Sequence, residues 1–166
     1  MVSDIISIIA NIALALSVVV ALVFGIAQVR QAASDRRERL TLDALRNFQS
    51  REFAELIHYV TFSDMPATRK ELRALPDKDQ VTFIQVAQEM ESLGMTVAER
   101  LINLDLVDKT LGSFVVTAWE KYKPIFQELR ESTPDPFLGE YFQWLAERIG
   151  RRMREEPRKP FYQAAG

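Results

Sequence analysis

Residues 5–27, IISIIANIALALSVVVALVFGIA, contain no charged side chain. Fourteen of these 23 positions are Ile, Leu, Val or Phe, five are Ala, and the rest are Ser7, Asn11, Ser17 and Gly25. A helix of this length rises about 34 Å, enough to cross a hydrocarbon core of about 30 Å. Fourteen strongly apolar residues at about −0.4 kcal/mol each give roughly −6 kcal/mol of insertion free energy. Four modestly polar residues do not reverse that sum, so the stretch is predicted to be a transmembrane helix. Gly25-Ile26-Ala27 has the small-x-small shape of a signal-peptide cleavage site. Against cleavage, Met1 to Asp4 carry no positive charge and the apolar run is longer than a signal core. A buried helix in a soluble core is also disfavoured, because no other segment is suited to enclose a cylinder apolar on every side.

The flanks orient the helix. Asp4 precedes it, while Arg30, Arg36, Arg37 and Arg39 follow it. By the positive-inside rule residues 1–4 are expected outside and everything after residue 27 in the cytoplasm, with 28–39 as a basic juxtamembrane helix at the lipid surface. Within the span, Ala13, Ser17, Ala21 and Gly25 recur every four residues, a stripe that lets two membrane helices approach closely. Asn11 could add a hydrogen bond across such a pair.

The remainder reads as helices, giving an all-α fold with a bundle over residues 40–153 and a flexible tail over 154–166. Leu42, Leu45 and Phe48 supply apolar positions as the first helix leaves its arginines. Phe53, Leu56, Ile57 and Val60 stand at i, i+3, i+4 and i+7, one helical face. A break at Ser63–Pro66 and a short charged turn lead to Asp77, placed as an N-cap with Gln80 at the capping-box position. Phe83, Val86, Ala87, Met90, Leu93, Gly94, Val97 and Leu101 trace the next stripe, and Asp105 is read as the cap of the helix after it. That helix carries Val107, Leu111, Phe114, Val115, Ala118, Tyr122, Ile125, Phe126 and Leu129, with Pro124 inside it as a source of a kink. Asp135-Pro136 opens a last helix with Leu138, Tyr141, Phe142, Leu145 and Ile149 inward. Three amphipathic helices and the end of the first make a small bundle.

Composition removes several chemistries. The chain has no cysteine, so thiol nucleophiles, disulfides and zinc-thiolate sites are excluded. Residues 40–147 hold 11 basic and 18 acidic side chains, whereas 148–166 hold six basic and two acidic. An acidic body between two basic ends is not the footprint of a nucleic-acid binder. Glu55 and His58, at i and i+3, form the unit from which di-iron bundles are built. Such a site needs two copies and two further glutamates, and with one histidine only a site shared between protomers has the ligands. Glu89 and Glu91 point apart on a helix and read as a solvated face. Phosphate loops, nucleophile elbows and paired-histidine motifs are absent from the sequence. Trp119 and Trp144 lie beside the main apolar stripes, either covering the bundle edge or contacting a partner. Arg148, Arg151, Arg152, Arg154, Arg158 and Lys159 complement a helix C-terminus, stand solvated, or meet anionic headgroups.

The run Leu111-Gly112-Ser113-Phe114-Val115-Val116-Thr117-Ala118-Trp119, followed by Pro124-Ile125 and Arg130, resembles a bacterial family of short membrane-anchored helical proteins classed as a domain of unknown function. The resemblance takes in the N-terminal membrane helix and covers nearly the whole chain. It implies a prokaryotic source and the same architecture, with Gly112 and Trp119 as helix-packing residues. It supplies no activity, ligand or catalytic residue.

These readings converge on a single-pass inner-membrane protein with its helical domain in the cytoplasm. No catalytic residue, metal ligand, cofactor, nucleic acid or small-molecule substrate is assigned. The expected partners are the bilayer and either another protein or a second copy. The functional expectation is a non-enzymatic interaction or regulatory module; the alternative is a homo-oligomeric pore or membrane-perturbing effector.

Overall fold

The computed structural model describes residues 2–132 and 135–164. Within helices, the side chains of residues 2–13, 37, 38, 45, 161 and 164 lie outside the described set, among them those of Asn11, Ala13 and Arg37. The order is α1 (Val2–Phe48), α2 (Arg51–Phe62), α3 (Arg69–Ala74), α4 (Asp77–Ala98), α5 (Leu104–Ser132), α6 (Glu140–Glu155) and α7 (Phe161–Ala164). No strand occurs among the described residues, and the chain is all-α. It divides into two compact units, Met1–Leu42 and Asp43–Gly166.

The first unit is most of α1. From Leu14 to Val29 its large apolar side chains stand exposed, Phe24 at 64% and Val29 at 71%. Helix α1 is long and apolar enough to cross a membrane, and none of its most apolar window is buried by the chain itself. Apolar residues on every side of a helix require an apolar surrounding.

The second unit is a bundle of α4, α5 and α6 crossed by α2, with α3 laid against α5. The end of α1 contributes Ala44 and Phe48 to its edge, while Leu42 is exposed. The fourth helix of the core is thus α2, which starts afresh at Ser50. The Ser50 hydroxyl accepts from the Phe53 N–H at 3.0 Å, satisfying one of the free donors of the first turn. Thr68 caps α3 in the same way through Glu71 N–H.

The inward stripes are largely those the sequence predicts. Aromatic rings fill the centre: Phe83 stacks on Tyr122 at 4.2 Å, and Trp119 meets Phe142 edge-on at 5.2 Å and Phe126 at 5.7 Å. The Tyr122 hydroxyl donates to the Phe83 carbonyl at 3.2 Å, so its polar end is satisfied although the ring is wholly buried. Gly94 brings α4 against α6: a methyl there would fall on the Tyr141 carbonyl oxygen and 2.5 Å from its carbonyl carbon. Helix α5 continues through Pro124.

Helix ends depart from the sequence reading in four places. Pro76, not Asp77, precedes the first turn of α4, and the Gln80 amide donates back to the Arg73 and Leu75 carbonyls. Asn103, not Asp105, caps α5, its side-chain oxygen accepting from Asp105 N–H at 2.8 Å. Helix α4 stops at Ala98 because Arg100 takes a left-handed conformation (φ 58°), leaving Leu101 exposed and turning Ile102 inward. Finally, Asp135-Pro136 forms a turn in which Asp135 accepts from Phe137 N–H, and α6 opens only after Gly139.

Candidate functional site

Gly139 sits at φ 71°, where a Cβ would be strained and would also strike the Phe126 ring. It offers α6 no side-chain cap. The cap comes from α4: the Glu91 carboxylate accepts from Tyr141 N–H at 3.2 Å and Phe142 N–H at 2.8 Å. A negative charge at a helix N-terminus is stabilising, so Glu91 is a structural link rather than part of a solvated face. Arg130 completes the turn, donating to the Leu138 carbonyl at 2.8 Å and to Gln143 Oε1 at 2.6 Å. Beside this turn lies an open groove of about 720 Å³, floored by Phe83, Ala87, Phe126, Leu129 and Leu138. Its lining is mainly apolar, with Gln85, Gln88, Glu89, Glu91 and Ser92 along it.

An ionic cluster joins α5 to α6 and the residues after it. Asp108 is buried at 3% exposure, facing the guanidinium groups of Arg152 and Arg158, each 3.8 Å from its Oδ2. Arg158 also donates to the Asp108 carbonyl at 3.1 Å. Asp105 bridges Lys109 and Arg152. The Lys109 ammonium first, then Arg152, holds the Asp105 carboxyl below its ordinary range. Gly112 lets this cluster form, since a Cβ there would come within 2.7 Å of Asp108 Oδ1 and 3.0 Å of Met153 Cε. The cluster ties helices together, and the sequence reading missed Asp108 because it stands on the apolar face of α5.

The remaining candidates are dispersed. Trp119 is 3% exposed and locked between Phe126 and Phe142, so it is a core residue and not a partner contact. Its position beside the stripe misled because the face buried by α5 is wider than one row. Trp144 is 37% exposed and stays accessible. His58 packs its ring on Phe62 and lines a shallow recess with Glu55, Tyr59, Lys78 and Asp79. Among the described residues, no group of three or more His, Asp or Glu converges as metal ligands do. Ser17, Ala21 and Gly25 are exposed on α1, and a Cβ on Gly25 would meet nothing within 4 Å. Arg30, Arg36 and Arg39 are exposed on the same helix, beyond its apolar part.

These features define a class: an all-α protein that joins a membrane-length apolar helix to a closed helical bundle. The chain belongs to the family described as Domain of unknown function (DUF4760), whose model matches residues 15–149. The match takes in the Gly112, Trp119, Pro124 and Arg130 pattern; the basic residues from Arg151 onward lie beyond it. No curated protein and no solved structure matches the chain.

Proposed function

We infer that the chain is a membrane-anchored, non-enzymatic interaction module, with α1 in a bacterial inner membrane and the bundle on the cytoplasmic side. The carrying observation is the bare apolar surface of α1 from Leu14 to Val29, covalently joined to a bundle that buries its own core. Such a helix needs lipid, and the bundle needs nothing from the helix to close its centre. Arg30, Arg36, Arg37 and Arg39 after the span, against Asp4 before it, support the orientation. The first test is alkaline carbonate extraction together with a C-terminal reporter. Recovery of the chain in the supernatant, or a periplasmic reporter, overturns the anchor or its orientation. The second is affinity capture of the full chain in mild detergent, where retention of no partner and no second copy overturns the interaction role.

A second reading, a homo-oligomeric pore or membrane-perturbing effector, draws on Gly25. Its small side is not used for packing within the chain, so it is free for close approach between copies. Overexpression of wild type and Gly25→Leu with a membrane-potential dye decides it: depolarisation by wild type alone supports the pore, and depolarisation by neither removes it.

A further inference from the structure

The basic residues of α6 and the segment after it are segregated from the rest of the bundle. Phe142, Leu145, Ile149 and Gly150 turn one side of α6 into the core. Arg148, Arg151 and Arg154 recur every three residues on the opposite side, all exposed. Lys159 follows, exposed, and Tyr162, three positions further on, is 82% exposed. Arg158 is spent on Asp108, and that contact pins the segment to the bundle instead of leaving it loose. Compensation of the α6 dipole does not account for the set, because that effect fades within the last turn. Arg148 lies two turns before Glu155, and Lys159 lies after the helix. Arg152 and Arg158 are paired with Asp105 and Asp108, and the exposed cations that are left, Arg148, Arg151, Arg154 and Lys159, still outnumber the neighbouring Glu155 and Glu156.

We propose that this face of α6, with Lys159 and Tyr162, docks on an anionic lipid surface. The charge sign is complementary to anionic headgroups, and an exposed tyrosine beside cations suits the boundary between headgroups and acyl chains. The proposal rests on the membrane-anchored reading, since a tether holds the bundle at high effective concentration near headgroups. Docking gives the bundle a second attachment, so its presentation to a partner depends on the charge of the leaflet. The occupant is a bilayer rather than a nucleic acid, because the acidic body around the patch repels a long polyanion that must track across it.

The chain contains no cysteine, so Gln163→Cys, at an exposed position next to Tyr162, gives the full-length protein one site for an environment-sensitive dye while keeping the docking residues. The labelled chain is reconstituted into vesicles of phosphatidylcholine alone and of phosphatidylcholine with phosphatidylglycerol. A blue shift and intensity gain are expected in the anionic vesicles only, reversed by high salt. In the Arg151→Gln/Arg154→Gln/Lys159→Gln chain the docked-to-undocked ratio should fall on the order of 100-fold, from about fivefold per basic residue near the surface. All three positions are exposed, and an unchanged thermal transition verifies that the bundle is intact. Equal emission in both vesicles overturns the proposal, as does a shift unaffected by the triple substitution. A response to single-stranded RNA without a response to anionic vesicles overturns it as well. Failure of the anchor is distinguishable: a chain that does not co-float with phosphatidylcholine vesicles has no membrane helix. Its binding to added anionic vesicles still decides the patch.

Discussion

Gly94 and Gly150 pose the same chemical change in two surroundings, and the structure assigns them opposite signs. Both lie inside helices, where replacing Gly by Ala gains about 1 kcal/mol of helix propensity. At Gly150 the new methyl meets Arg154 Nη1 at 3.4 Å and Val116 Cγ2 at 3.8 Å, ordinary contact with side-chain atoms. Gly150→Ala should therefore be neutral or stabilising by up to about 1 kcal/mol. At Gly94 the methyl lands on the Tyr141 carbonyl, a backbone group that moves only if α6 moves. That movement loosens the Glu91 cap on Tyr141 and Phe142 N–H. Overpacking of this kind costs roughly 3 kcal/mol, so Gly94→Ala should lose about 2 kcal/mol after the propensity gain. For a bundle of this size that is a fall in Tm of roughly 6–10 °C. The assay is thermal unfolding of the full chain in detergent, followed by the emission of Trp119, which leaves the core when the bundle opens. Equal shifts for the two variants, in either direction, would refute the assigned spacing of α4 and α6.

Three further outcomes follow from the core and its charges. Trp119→Ala should cost about 3–5 kcal/mol, while Trp144→Ala, removing a partly exposed ring, should cost under about 1 kcal/mol; equilibrium urea unfolding of both compares them. Burial first, then the proximity of Tyr59, pushes the Tyr122 hydroxyl well above its ordinary range. A raised folded-state value means the protonated form is favoured by folding, so this contribution is complete below roughly pH 10 and declines as pH rises further. Tyr122→Phe should lose that alkaline decline in pH-dependent unfolding, and an unaltered slope would contradict the buried hydroxyl. Asp105 behaves in the opposite sense: its carboxyl is depressed, so its contribution is present above the unfolded value of about 4 and lost as pH falls through the folded one. Asp105→Asn should flatten the acid limb of the stability profile, read from transition midpoints across the acid range.

The sequence carried what depends on patterns within one segment. An uncharged run of 23 residues dictates a helix long and apolar enough to span a membrane, and periodic apolar positions dictate which sides of α2, α4, α5 and α6 turn inward. Helix ends were less legible: Asp77, Asp105 and Asp135 were read as caps, whereas Pro76, Asn103 and Gly139 precede those helices and Ser50 and Thr68 cap α2 and α3. Legibility failed where the partner of a group lies far along the chain. Glu91 looks solvated until α6 arrives over it, and Lys121 looks like one more surface cation until its ammonium meets the Val60, Thr61 and Ser63 carbonyls at the end of α2. Glu128 caps α3 through Arg69 N–H from 59 positions away. Asp108 reads as a flaw in an apolar stripe until Arg152 and Arg158 close on it.

The division has one physical cause. Hydrophobic burial is additive over residues and repeats with the helical period, so it can be read from a single strand of text. Hydrogen bonds and buried charges are directional and pairwise, and the identity of each partner is set only when the helices pack. By itself the sequence determined an all-α chain with an N-terminal helix long and apolar enough to span a membrane, followed by an acidic helical bundle. Tertiary structure alone decided that Trp119 is core, that α6 starts after Gly139 under the Glu91 carboxylate, and that the basic residues after Gly150 are held to the bundle through Arg158.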